Sequence, residues 1–172
     1  MSVPASEATT KTGTSKRTDN RANVLGVGVA ITSMTQVLGQ IDQISRSLPA
    51  GRQLAPKKPF LVVTVNPEFI VQAQSDPVFK KILNRADLAL PDGVGLRLAG
   101  INTIVQGRKV VSALISNNYR IFYLGGQGGV AKDMAQRYGG KSDPGEPDIG
   151  HPHRNSEILA AIAAYQPDIL LV

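Results

Sequence analysis

Asp92 stands between Pro91 and Gly93 in the segment Ala86-Asp87-Leu88-Ala89-Leu90-Pro91-Asp92-Gly93-Val94-Gly95. A carboxylate that closes a short apolar run and is followed by glycines sits where a substrate can approach the backbone closely. In that place it can take a proton from an attacking hydroxyl, the general-base role. Pro-Asp-Gly is equally good turn chemistry, and spacing alone does not separate the two readings. A second group of polar side chains lies in Thr64-Val65-Asn66-Pro67-Glu68-Phe69, which closes the apolar run Phe60-Leu61-Val62-Val63. Thr64 and Asn66 can exchange hydrogen bonds with a hydroxyl-rich ligand. Asn66 is also a natural helix cap, and Glu68 in the first helical turn suits the helix dipole without any ligand.

A third candidate is Gly125-Gly126-Gln127-Gly128-Gly129, which follows an apolar run and opens a helical pattern. Backbone N–H groups in such a loop can cradle a diphosphate at a helix N-terminus, although tight strand-to-helix packing also uses glycine. The loop lacks the Gly-Lys-Ser/Thr of a Walker A motif and does not fit G-x-G-x-x-G from Gly125. His151-Pro152-His153 has no spaced partners and reads as a surface loop rather than a metal site. No Asp-x-Asp and no Gly-x-Ser-x-Gly occurs, and the chain has no cysteine. A thiolate metal site, a cysteine nucleophile and a disulfide scaffold are therefore excluded. No metal and no cofactor is expected.

These residues need elements to hold them. Ala22 to Ile31 reads as a first strand, and Ser33 caps a helix whose apolar face is Met34, Val37, Leu38, Ile41, Ile44 and Leu48. Phe60 to Val65 reads as a strand buried on both faces. Asn66-Pro67 and Ser75-Asp76-Pro77 each open a helix, with proline at the first helical position. Ala86 to Leu90 is a short strand, and Val94 to Ala99 and Lys109 to Ser116 are helical. Arg120 to Leu124 is a strand and Val130 to Tyr138 a helix. Residues 139–154 form a Gly/Pro/Asp-rich loop, Asn155 caps a helix to Tyr165, and Ile169 to Val172 starts a last strand. Strands alternating with helices predict an α/β fold, a three-layer Rossmann-like domain with a mostly parallel sheet and right-handed crossovers. Ligands of such sheets bind beyond the carboxyl ends of the strands, where Thr64 and Asp92 fall. Residues 1–22 read as a disordered basic tail and 23–172 as one domain. A parallel strand that stops at the last residue predicts a longer protein of which this chain is part.

The 172 residues are 42% hydrophobic and 19% charged, with a net charge of +6. This is a globular composition. Lys11, Lys16, Arg17 and Arg21 outweigh Glu7 and Asp19 in the tail, and Arg46, Arg52, Lys57 and Lys58 make a second basic stretch. Such stretches suit an anionic partner or remain solvated surface. Aromatic residues are 5% of the chain and are not interleaved with the cations, so nucleic acid is not an expected partner. No run is long enough to span a membrane.

The two polar segments, in this order and with a helical stretch between them, resemble the T-x-N-P-E and P-D-G-x-G signatures of the WecG/TagA/CpsF glycosyltransferases, glycosyltransferase family 26. The resemblance extends over roughly residues 23–172. It takes in Val24-Leu25-Gly26-Val27, Phe122-Tyr123-Leu124-Gly125-Gly126 and Pro167-Asp168-Ile169-Leu170-Leu171-Val172. It implies transfer of an N-acetylmannosamine-type sugar from a UDP-sugar to an undecaprenyl-diphosphate-linked acceptor, by an inverting, metal-independent mechanism. Asp92 is then the candidate base and Thr64 its sugar-contacting partner. Asn66, Gly93, Gly95, Gly125, Gly126, Gln127 and Arg108 are candidate substrate contacts. The family's E-R-V-x-G-x-D-L segment reads here as Thr103-Ile104-Val105-Gln106-Gly107-Arg108-Lys109-Val110. Ile104 replaces an arginine and Lys109 an acid, so Arg108 or Arg97 must supply charge to the leaving diphosphate. The resemblance further implies a cytoplasmic protein at the inner membrane face, with weak peripheral contact. Two other readings stay open: a non-catalytic nucleotide- or diphosphate-binding module, and an interaction protein that self-associates through the apolar strand Ile169–Val172.

Overall fold

The computed structural model of the chain describes residues 20–46, 59–143 and 152–172. Most of the basic tail, together with Arg52, Lys57, Lys58 and His151, lies outside the described residues. Arg46, the remaining member of the second basic stretch, is within them and pairs with Asp42 at 2.8 Å.

The first strand of the sequence reading is two strands. β1 (Arg21–Val24) and β2 (Val27–Ala30) form an antiparallel hairpin with Val24 opposite Val27. Arg21 and Ala22, read above as the end of the tail, are therefore the start of β1. The turn is Leu25-Gly26, with φ of 50° and 83°. Positive φ at both central residues is the geometry that matches the twist of a two-residue hairpin. Leucine is a poor residue for it, which is why the turn does not announce itself in the sequence. Side chains compensate. Asn23 Oδ1 accepts from Gly26 N at 2.8 Å, and Lys80 Nζ donates to Leu25 O at 2.9 Å. Asn84 accepts from Gly28 N and donates to Gly26 O, each at 2.9 Å.

After α1 (Met34–Arg46), a parallel pair carries the centre of the fold. β3 (Val62–Val65) runs beside β4 (Leu88–Pro91) with Thr64 opposite Leu90 and Val65 opposite Pro91. The connection is α2 (Pro67–Ser75) followed by α3 (Pro77–Arg85). Both helices start as the sequence indicates: Asn66 Oδ1 accepts from Phe69 N and Asp76 Oδ1 from Phe79 N, each at 2.8 Å. Ser33 and Gln36 likewise cap α1 reciprocally, Ser33 N donating to Gln36 Oε1 at 2.8 Å and Gln36 N to Ser33 Oγ at 3.3 Å.

Alternation along β4 makes the layers. Ala89 packs in one core with Val65, Ile70 and Ala73 of α2's side and Leu83 of α3. Leu88 and Leu90 pack in another with Val37 of α1 and with Val110 and Leu114 of α4 (Gly107–Ile115). Helices thus cover both faces of this ladder, because side chains of a strand point alternately to opposite sides. All of β4 is buried, whereas Val62, Val63 and Thr64 of β3 are only half-buried. The strand expected to be buried on both faces is therefore β4 rather than β3. Only one strand, β4, pairs with β3 among the described residues.

The second half repeats the α/β pattern. β5 (Ile121–Tyr123) lies between β6 (Lys141–Ser142) and β7 (Ile169–Leu171), all parallel. α5 (Val130–Tyr138) and α6 (Pro152–Tyr165) provide the crossovers. The latter starts at Pro152 rather than at an Asn155 cap. Val94–Ala99 is a 3₁₀ helix, ended by Gly100 at φ 80°. The described strands form three separate sheets, one antiparallel and two parallel, so the fold is α/β with parallel sheets as expected.

The clamp on the hairpin gives a stability test. Asn84→Ala removes both of its bonds and should cost about 1 kcal/mol. For a chain of this size that lowers the melting temperature by roughly 2–4 °C, measurable by circular dichroism. An unchanged midpoint would mean that the hairpin holds its turn without Asn84.

Candidate active site

Register brings the candidate residues together. Asp92 follows β4 directly, and its N–H donates to Val65 O at 2.8 Å, extending the parallel ladder by one rung. Thr64 lies in the neighbouring strand, one residue before that rung. Val105 N donates to Pro91 O at 2.8 Å and returns the chain to the same strand end. α4 therefore begins beside Asp92, and Asp92 Oδ2 accepts from Gly107 N at 3.0 Å. A carboxylate at a helix N-terminus satisfies an orphan donor and meets the positive end of the dipole. The other carboxylate oxygen has no hydrogen bond among the described residues.

Glycine at 107 is a packing requirement. A Cβ there would stand 2.6 Å from Thr64 Cγ2 and 3.0 Å from Asp92 Oδ2. Thr64, Asp92 and the start of α4 are in contact only because that side chain is missing. Glycines of the second segment do the same for the first. A Cβ on Gly95 would lie 2.7 Å from Pro67 Cγ, and one on Gly93 (φ 100°) 3.2 Å from Pro67 Cδ. The two polar segments are thus one unit in space, with Pro67 seated on Gly93 and Gly95.

Asn66 acts as the cap of α2 and belongs to this unit through its contact with Gly93. Arg108 and Lys109 follow Gly107 and are exposed on the first turn of α4. Ile104 packs against the core that holds Leu96 and Ile101. Gln106 precedes Gly107 without capping α4, and its buried Oε1 has no partner.

Gly125, Gly126 and Gln127 leave β5 and lead through a short 3₁₀ turn, Gln127–Gly129, into α5. Gly125, Gly126, Gly128 and Gly129 all have positive φ, a backbone that side chains rarely adopt. No described contact joins this loop to Thr64, Asp92 or Gly107. Among the described residues no three His, Asp or Glu side chains come together as a metal site, and no helix is long and apolar enough to cross a membrane. The residue that sequence reasoning passed over is Gly107, whose one signal was its place in the segment running from Thr103 to Val110.

Gly107→Ala should destabilise the protein by about 1–3 kcal/mol, because the neighbours are backbone-anchored and cannot yield. Gly39→Ala is the control of opposite sign. Gly39 lies inside α1 with open space around it, so alanine should stabilise by up to about 1 kcal/mol through helix propensity. Urea midpoints compare the two, and equal midpoints would mean that Thr64, Asp92 and Gly107 are not in tight contact.

Comparison with known proteins gives the family of the chain. An N-acetylglucosaminyldiphosphoundecaprenol N-acetyl-beta-D-mannosaminyltransferase from Bacillus spizizenii is 26% identical over 158 residues, which is 80% of this chain and 61% of that protein. The chain thus spans less than two thirds of the relative's length. The model of the glycosyl transferase WecG/TagA/CpsF family matches residues 22–172, which include both polar segments and the start of α4. The chain belongs to the WecG/TagA/CpsF glycosyl transferase family.

Proposed function

We propose that the protein to which this chain belongs transfers an N-acetylmannosamine-type sugar from a UDP-sugar to an undecaprenyl-diphosphate-linked acceptor in the making of cell-surface polysaccharide or teichoic acid. The observation that carries this is the Asp92 carboxylate, held by one oxygen on the N-terminus of α4 within the segment shared with the family. Asp92 takes the proton of the acceptor hydroxyl as its oxygen bonds to the anomeric carbon. The bond from that carbon to the diphosphate breaks on the opposite face, and UDP leaves with the electron pair. Configuration inverts in a single displacement that uses no metal. Thr64 and Asn66 contact the sugar, with the backbone of Gly93 and Gly95 against it. Arg108 faces the leaving diphosphate, and the Gly125-Gly126-Gln127 loop supplies N–H groups to it.

The alternative is a diphosphate-binding module without turnover. Ile104 in the core, where the family carries an arginine, favours it. The two readings separate on Asp92→Asn, assayed as UDP release with UDP-N-acetylmannosamine and a soluble lipid-diphosphate-GlcNAc analogue in the full-length protein. A base in that position is worth about 10²–10⁴ in rate, so the variant should lose that factor while UDP binding by calorimetry persists. Unchanged turnover removes Asp92 as base, and UDP binding without turnover in the wild type favours the module.

The acceptor is a lipid, so contact with the cytoplasmic face of the membrane is peripheral and rests on Arg52, Lys57 and Lys58. Arg46 contributes less, being paired with Asp42. Each cation near an anionic surface is worth about 1 kcal/mol. Flotation with anionic vesicles should be weak at low salt and vanish at high salt. Tight, salt-insensitive flotation would mean an apolar anchor instead.

A further inference from the structure

The glycine loop after β5 fits a dinucleotide-type series when it is counted from Gly126 rather than Gly125. It then reads Gly126-Gln127-Gly128-Gly129-Val130-Ala131, a G-x-G-x-x-A run between a strand and a helix. Each small residue has its own reason. Gly126 has φ 77°, and a Cβ there would lie 2.9 Å from Val130 Cβ, so a side chain would block the turn onto the first residue of α5. Gly128 has φ 66°, and nothing beyond its chain neighbours comes within 4 Å of its Cβ position, so its backbone borders open space. Ala131 is buried in one cluster with Ile121 and Tyr123, where a larger residue would push α5 away from β5. These are the three parts that small residues play where a strand turns into a helix over a pyrophosphate.

The same unit ends on an acid. β6 follows α5, and Asp143 follows β6, at about the 20-residue interval that separates the glycines of such a unit from its ribose-binding carboxylate. Asp143 N donates to Tyr123 O at 3.2 Å. The acid therefore stands at the carboxyl end of β5, where Leu124 leads into Gly125. It is the one buried charged residue among those described, 5% exposed, and its Oδ2 has no hydrogen-bond partner. A buried carboxylate without a partner destabilises the fold. It only accepts, so whatever satisfies it must donate. Among the described residues no group of acids or histidines joins it to hold a cation.

A ribose carried on a diphosphate offers such donors, its neighbouring hydroxyls, one strand away from the phosphates. We infer that Asp143 accepts the ribose hydroxyls of a ribonucleoside diphosphate whose diphosphate lies over Gly126 and Gly128 at the N-terminus of α5. The inference rests on the UDP-sugar reading above and names the residue that separates ribose from deoxyribose in that donor. The fold leaves this carboxylate without a partner of its own, and the ligand supplies one.

Calorimetry on the full-length protein tests this, with UDP and 2′-deoxy-UDP as the probes. The wild type should bind UDP about tenfold or more tighter than the deoxy compound. Asp143→Ala should bind the two alike, and UDP about tenfold or more weakly than the wild type does. Asp143→Asn, of the same shape, should narrow the ratio and keep or raise the melting temperature, because it removes an unpaired buried charge. Asp92→Asn should keep the wild-type ratio. Equal binding of the two nucleotides by the wild type, or an unchanged ratio in both Asp143 variants, overturns the inference and leaves the UDP-sugar reading standing. A lower melting temperature for Asp143→Asn would mark a structural acid and overturns it too. No binding of UDP at all removes both readings.

Discussion

The site depends on one hydrogen bond, that from the N–H of Gly107 to the carboxylate of Asp92. It joins the end of a parallel ladder to the start of a helix that is distant along the chain. The bond is charge-assisted and sits where the helix dipole is positive, so it is stronger than a neutral contact of the same length. It also requires a residue without a side chain at 107, because Thr64 Cγ2 already fills the space. Change any of the three residues and the other two lose their relation.

A matching device starts the same strand. Asp87 Oδ2 accepts from Leu61 N at 2.9 Å, Asp87 N donates to Leu61 O at 2.8 Å, and Arg21 ties the carbonyls of Ala86 and Asp87 from the hairpin. β4 is thus held by an aspartate at each end, buried throughout, with helices on both faces. A side chain at the end of such a strand has little freedom. That rigidity would suit the base role proposed for Asp92, since orientation obtained in folding is not charged to the reaction.

Electrostatics around α4 point the same way. The helix has no acid in its first turn and carries Arg108 and Lys109 there instead, against the preference of the dipole. Two exposed cations at a helix N-terminus are mildly unfavourable by themselves, and a diphosphate bound as proposed above would offset that. Ile104 in the preceding loop packs against the core, whereas the charges of this segment stand on the exposed first turn of α4.

Local chemistry made much of this legible in the sequence. Ser33, Asn66 and Asp76 cap helices through contacts spanning three residues, and Val130–Tyr138 starts and stops where its residues indicate. The alternation of apolar strands and amphipathic helices gave the α/β class, and the two polar segments the family. What failed was set by distant neighbours. Leu25 adopts a turn conformation that its own preferences oppose, because Lys80 and Asn84 hold the hairpin from α3. The packing of Pro67 on Gly93 and Gly95 was likewise invisible in the sequence, because it joins two segments that lie far apart along the chain. Gly107 carried no chemistry of its own and acquired a role only when α4 was set against β4. Propensity and capping act over a few residues and are written locally. The distance between Thr64, Asp92 and Gly107 is set by ladder register and helix packing, which belong to the folded molecule.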